Sequence, residues 1–143
     1  EMCIRDRTCV AALSDGRVIL NIRSRKPDGA PYTAPHYRYI AISADGSGNW
    51  ETWLEKQLPD PACCGGMCNF PGGLLFTNCD SYISRSNHTL RKSTDDGRTW
   101  SEALLYDPLA GYSDCIYNPA TGTAFVAYEH ERESELRVSE IEL

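Results

Sequence analysis

The chain has 143 residues, which is enough for one ordinary domain. Its 14 Lys and Arg residues against 20 Asp and Glu residues give a formal net charge of −6. An acidic chain without a basic block is a poor ligand for nucleic-acid backbones. No apolar stretch is long enough to span a bilayer, and the opening residues lack the pattern of a signal peptide. With 41% hydrophobic residues, the composition predicts a globular protein.

The first seven residues show neither strand alternation nor a helical stripe. They resemble the translation of a transposon-end sequencing adapter, and we interpret residues 1–7 as an artefact that precedes the protein. The alternative is a genuine but irregular start. We therefore place the folded part at residues 8–143, as part of one domain.

The rest of the chain predicts β structure throughout, because turn residues recur about every ten residues. The segment 26–36 carries several prolines and predicts a loop. The segment 50–58 is compatible with a helix until Pro59 and Pro61, and we favour a strand and loop there. The expected strands lie at 8–13, 17–24, 37–43, 50–58, 64–70, 74–77, 88–92, 101–106, 114–117, 123–128 and 136–141.

One eight-residue pattern occurs twice. Residues 93–100 have the form S-x-D-x-G-x-T-W, and residues 43–50 are a degraded copy 50 residues upstream. A repeat period near 50 residues with four strands per unit is typical of β-propeller blades. The aspartate is expected to accept backbone N–H groups in a tight turn, the glycine to adopt a left-handed conformation, and the tryptophan to cover the hairpin. The structural residues of this turn are Ser93, Asp95, Gly97, Thr99 and Trp100.

This pattern resembles the Asp-box, or BNR repeat, of the sialidase (neuraminidase) family. Non-enzymatic propellers also carry it, but four further segments resemble sialidase motifs in the family's order, at residues 13–23, 85–90, 110–114 and 126–129. The resemblance is to exo-α-sialidases and implies an all-β fold, namely a six-bladed β-propeller. The chain would be its C-terminal part, with about three blades of four-stranded antiparallel sheets.

The chemistry of such an enzyme follows from charge. A sialoside carries a carboxylate on its anomeric carbon, which repels a carboxylate nucleophile but not a neutral phenol. Sialidases with a tyrosine nucleophile accordingly depart from the two-carboxylate rule of most glycosidases. Because free tyrosine has a pKa near about 10, a neighbouring glutamate must take its proton. Arginine guanidinium groups suit the sugar carboxylate, since they bind carboxylates in a bidentate manner.

The resemblance implies roles for four residues. Arg23 and Arg85 correspond to the second and third arginines that bind the sialic acid carboxylate, and Tyr112 corresponds to the nucleophile. Glu129 corresponds to the glutamate that holds the first arginine by a salt bridge. Taken singly, each arginine is also compatible with a solvated strand position and the tyrosine with a packed aromatic. Two other arginines compete for the binding role, Arg25 and Arg91.

Other residues that the family requires are not found in this sequence. The first arginine and the acid/base aspartate would lie upstream, and the activating glutamate would stand sixteen residues before Arg23, where the sequence has Arg7. We therefore expect this chain, as a fragment, to be inactive, although its family hydrolyses terminal sialic acids of glycoproteins, glycolipids (including gangliosides) and oligosaccharides. The alternative is a non-catalytic Asp-box propeller that binds glycan or protein. Hydrolase and trans-sialidase activity both remain open.

Cysteine content and one sequon bear on the compartment. Seven cysteines are many for a cytosolic protein, and residues 87–89 match the N-glycosylation pattern. We therefore expect a lysosomal, secreted or periplasmic location. The cluster at 63–68 lacks the spacing of a metal site and favours disulfides or buried thiols. Neither a metal nor a cofactor is expected.

Overall fold

The structure is a computed structural model that describes residues 7–24, 36–131 and 134–143. These residues form strands and contain no helix that could cross a bilayer. Residues 26–35 of the loop predicted at 26–36 and the first six residues lie outside the described residues. The strands are β1 (Thr8–Ala12), β2 (Val18–Ile22), β3 (Tyr37–Ser43), β4 (Glu51–Pro59), β5 (Gly66–Phe70), β6 (Gly73–Cys79), β7 (Ser86–Ser93), β8 (Leu104–Leu109), β9 (Ser113–Asn118), β10 (Thr123–His130) and β11 (Glu135–Glu142).

Strands that follow each other along the chain pair in antiparallel fashion and form three separate sheets. The first sheet contains β1 to β4, the second contains β5 to β8, and the third contains β9 to β11, each in sequence order. Up-and-down antiparallel sheets of this size, packed side by side, are typical of propeller blades. The all-β class and the partial propeller predicted from the sequence are thus confirmed. The segment 50–58 is a strand, as favoured above, and not a helix.

In both repeated turns an aspartate carboxylate accepts a backbone N–H, from four residues on in one turn and from two residues on in the other. In the turn after β7, the Asp95 carboxylate accepts the Thr99 N–H at 2.8 Å and the Ser93 hydroxyl at 2.9 Å. In the turn after β3, Asp45 accepts the Ser47 N–H at 2.9 Å. Although partial burial opposes it, hydrogen bonds from Thr99 hold the pKa of Asp95 below its ordinary value, so the turn keeps its anion at neutral pH.

The core lies between neighbouring sheets, with the second sheet in the middle. Side chains alternate between the two faces of a strand, and the apolar run in β6 is buried on both. Leu74 and Phe76 face the first sheet, where Trp100 packs edge-on against Phe76 at 5.8 Å between ring centroids. Leu75 faces the third sheet and packs with Val126. This sandwiched position fixes the loops at one end of all three sheets relative to one another.

Candidate functional site

Tyr112 lies immediately before β9 and is held by Glu129 of β10. The Glu129 carboxylate accepts the Tyr112 N–H at 2.9 Å, and the Glu129 N–H donates to the Tyr112 carbonyl at the same distance. The preceding residue must be small, because a Cβ on Gly111 would lie 2.5 Å from the Glu129 carboxylate. The backbone of this half-buried tyrosine is therefore fixed by two hydrogen bonds.

Arg85 lies just before β7 and contacts the Tyr112 side chain. Its Nη2 donates to the Tyr112 hydroxyl at 3.4 Å, and its guanidinium carbon lies 4.7 Å from the ring centroid. A guanidinium over an aromatic face is a cation–π contact. Two of the residues singled out by the sequence, from different sheets, are thus in direct contact.

Arg7 contacts the same tyrosine. Its guanidinium carbon lies 4.8 Å from the Tyr112 ring centroid, and its Nη1 lies 3.6 Å from the Cys64 sulfur. The chain position at which the resemblance places the activating glutamate is therefore next to the phenol. An open cleft of about 420 Å³ adjoins this point and is lined in part by Arg7, Cys64 and Asp114.

Arg23 is buried at the end of β2, on the inward face that it shares with Ile19 and Asn21. Its Nη1 donates to the Ala62 carbonyl at 3.3 Å and lies 4.0 Å from the Cys64 sulfur. That sulfur is also the contact of Arg7, so both arginines approach the same thiol. The structure thus brings Arg23 close to Arg7 through their shared contact with Cys64.

The other arginines considered above lie elsewhere or outside the described residues. Arg91 pairs with the Asp80 carboxylate at 2.9 Å. Arg25 is outside the described residues. Three guanidinium groups, on Arg7, Arg23 and Arg85, therefore gather around Tyr112 and Cys64 in a chain whose net charge is −6. Such a local concentration of positive charge suits an anionic ligand.

A buried ion pair that the sequence pattern did not predict lies next to Arg23 and contacts Ser24. Arg38 is fully buried in β3 and donates to the Asn21 side-chain oxygen at 2.6 Å and to the Cys63 carbonyl at 3.0 Å. It also lies 3.6 Å from the Asp60 carboxylate, which accepts the Ser24 N–H at 2.7 Å. The pair therefore ties the residue after Arg23 to the loop that carries Cys63. The one available signal was an arginine at an inward position of an otherwise apolar strand.

The backbone next to Tyr112 is held by further buried groups. His88 is fully buried and accepts the Gly111 N–H on Nε2 at 3.0 Å, while its ring stacks on Tyr106 at 5.5 Å. Burial lowers the pKa of His88, which keeps the ring neutral and able to accept this hydrogen bond. On the other side, the thiols of Cys63 and Cys79 donate to the Gly111 carbonyl at 3.0 and 3.5 Å.

In the part of the chain that the structure describes, no group of three or more His, Cys, Asp or Glu side chains is arranged to hold a metal ion. The site consists of guanidinium groups, a phenol and a carboxylate that orients the backbone. Fold and site together define a β-propeller-type protein with an arginine-rich tyrosine site.

Comparison with known proteins relates this class to a family. No family model matches the chain. Over 145 aligned positions, which cover 86% of this chain, the sequence is 31% identical to a sialidase of Micromonospora viridifaciens. The chain spans only about a fifth of that relative, 21% of its length. The match supports a relation to the sialidase family, in agreement with the resemblance carried by the motifs.

Proposed function

We propose that the chain carries the nucleophile and two carboxylate-binding arginines of a retaining exo-α-sialidase site. The proposal rests on one observation, the contact at 3.4 Å between the Arg85 guanidinium and the Tyr112 hydroxyl. In a sialoside the carboxylate is attached to the carbon that is attacked. The group that binds the carboxylate and the group that attacks must therefore be neighbours, as Arg85 and Tyr112 are.

In this reaction the Tyr112 oxygen attacks the anomeric carbon and forms a glycosyl–tyrosine bond while the aglycone oxygen leaves with a proton. Water then attacks the same carbon from the vacated side, the glycosyl–tyrosine bond breaks, and the phenolate regains a proton from that water, so two displacements retain the anomeric configuration. Arg23 and Arg85 hold the carboxylate in both steps. Glu129 accepts the Tyr112 N–H and so fixes the position of the tyrosine relative to them. The Asp-box turn at residues 93–100 has a structural role.

The first displacement needs a base for the phenol proton, and an arginine is never that base at neutral pH. Because Arg7 lies over the Tyr112 ring, this chain should bind terminal sialic acid without hydrolysing its glycosidic bond. The same contact favours, as a second candidate, a propeller that binds sialylated glycan without catalysis. In either case the ligands are terminal sialic acids of glycoproteins, glycolipids or oligosaccharides, met outside the cytoplasm.

Binding of sialyllactose, with lactose as the neutral control, tests this proposal by NMR titration. A charge-assisted hydrogen bond contributes about 1.5–3 kcal/mol, so R85A should weaken sialyllactose binding by about tenfold or more. The matched control is R98A, since Arg98 is an exposed arginine paired with Glu51 in the Asp-box turn and away from Tyr112. Equal binding of lactose and sialyllactose, or equal losses in R85A and R98A, would contradict the proposal.

A further inference from the structure

Two cysteines on neighbouring sheets face each other. The sulfur of Cys68 in β5 lies 3.6 Å from the sulfur of Cys115 in β9, and both side chains belong to the core between the second and third sheets. The backbones also approach closely here, because a Cβ on Gly66 would clash with the Asp114 Cα. A disulfide needs sulfurs about 2.05 Å apart on strands at such close range. Side-chain rotation has to bring the two sulfurs closer by about 1.5 Å to join them.

We propose that Cys68 and Cys115 form a disulfide that joins the second sheet to the third. The inference does not depend on the proposed sialidase function, since it concerns the packing of two sheets. It assigns a covalent modification site to two thiols that are free in this structure.

The two thiols differ in a way that favours this reaction. The Cys115 thiol donates a hydrogen bond to Cys68, which lowers the pKa of Cys68, whereas the same contact, with burial, raises the pKa of Cys115. Cys68 is half-buried and Cys115 is buried. The thiolate therefore forms on the more accessible sulfur, where an external disulfide can reach it.

The exchange of the two thiols with glutathione disulfide takes place in two steps. The Cys68 thiolate attacks one sulfur of glutathione disulfide, forms a mixed disulfide and releases one glutathione thiolate. Cys115 then gives up its proton and attacks the Cys68 sulfur, and the second glutathione leaves as a thiolate. Two protein thiols are oxidised and one disulfide is reduced to two glutathione molecules.

Three of the other cysteines of the described residues are less well placed for this exchange. Cys63 and Cys79 are almost completely buried and point at the Gly111 carbonyl, so an external disulfide cannot approach them. Cys9 donates to the Gly65 carbonyl, and burial raises its pKa to about 11.

Peptide mapping of the whole chain tests the proposal. The protein is incubated with glutathione disulfide or with reduced glutathione, alkylated, and digested with trypsin, which releases Cys68 in peptide 57–85 and Cys115 in peptide 99–132. The oxidised sample should contain these two peptides joined, and the reduced sample should contain them separate. Because peptide 57–85 holds other cysteines, the assignment needs variants: C68S should abolish the joined product, and C64S should retain it.

Thermal unfolding gives a second measurement. A bond between cysteines whose sequence separation is 47 should raise the unfolding midpoint of the oxidised wild type by about 10 °C over the reduced form. C64S should show the same rise and C68S none. Alkylation of both cysteines after oxidation, or a joined product that persists in C68S, would overturn the proposal.

Discussion

Replacing Arg38 with methionine should strongly destabilise the fold. The Arg38 guanidinium makes hydrogen bonds to Asn21 and Cys63 and lies 3.6 Å from the Asp60 carboxylate, and both side chains of the ion pair are 1% exposed or less. Methionine keeps most of the apolar volume but leaves the Asp60 carboxylate without the cation. Removing one partner of a buried ion pair costs about 3–5 kcal/mol. That is a large share of a typical free energy of unfolding of about 5–15 kcal/mol.

Equilibrium unfolding in urea measures this loss. With a typical urea dependence of about 1–3 kcal/mol per molar, the midpoint of R38M should fall by at least about 1 M. R98M is the matched control, because Arg98 pairs with Glu51 at 3.0 Å but the two side chains are 48% and 59% exposed. Water replaces that exposed partner, so R98M should unfold like the wild type. Equal shifts in both variants would refute the reasoning, and adding D60N to R38M should recover part of the loss.

Two further predictions concern the site. R7E, which places a carboxylate next to Tyr112, should not by itself release the dye from a fluorogenic sialoside, because the acid/base aspartate and first arginine are still required; detectable turnover would contradict this. Burial lowers the pKa of His88 in the folded state, whereas an unfolded histidine titrates near about pH 6.5. The stabilising contribution of neutral His88 is therefore complete above about pH 6.5 and is lost as the pH falls below it. Thermal midpoints measured at pH values on both sides should fall more in the wild type than in H88Q, and parallel falls would count against this role.

The fold was predictable because the strands that are neighbours in the sequence are also the strands that pair in each sheet. Consecutive hairpins pair neighbours in sequence, so turn residues alone set most of the topology. The observed strand boundaries differ from the predicted ones where proline occurs. β4 extends to Pro59. β8 was predicted at 101–106 but runs from 104 to 109 and includes Pro108. Both are edge strands, in which a missing N–H removes no ladder hydrogen bond. Ser101 lies instead before β8, where its N–H donates a hydrogen bond to the Lys92 carbonyl and its hydroxyl accepts the Lys92 N–H.

The site was predictable only in part. Motif resemblance singled out Tyr112 and Arg85, which the structure brings into contact, although the catalytic role of each remains a prediction. Taken singly, Arg23 was also compatible with a solvated strand position, but the structure buries it beside Asn21. The reason is that Arg38, from the neighbouring strand, supplies hydrogen bonds to Asn21 within the core. Such a pairing depends on tertiary contacts that no local pattern encodes.

The arrangement of the sheets has a consequence for the order of folding. Each sheet is a continuous chain segment whose contacts are local, so hairpins can form early and independently. The arginine–tyrosine cluster, in contrast, draws Arg23 from the first sheet, Arg85 from the second and Tyr112 from the third. It exists only after all three have docked. A ligand that binds this cluster would therefore report complete assembly, whereas circular dichroism would already register native-like strand content in chains whose blades have not yet come together.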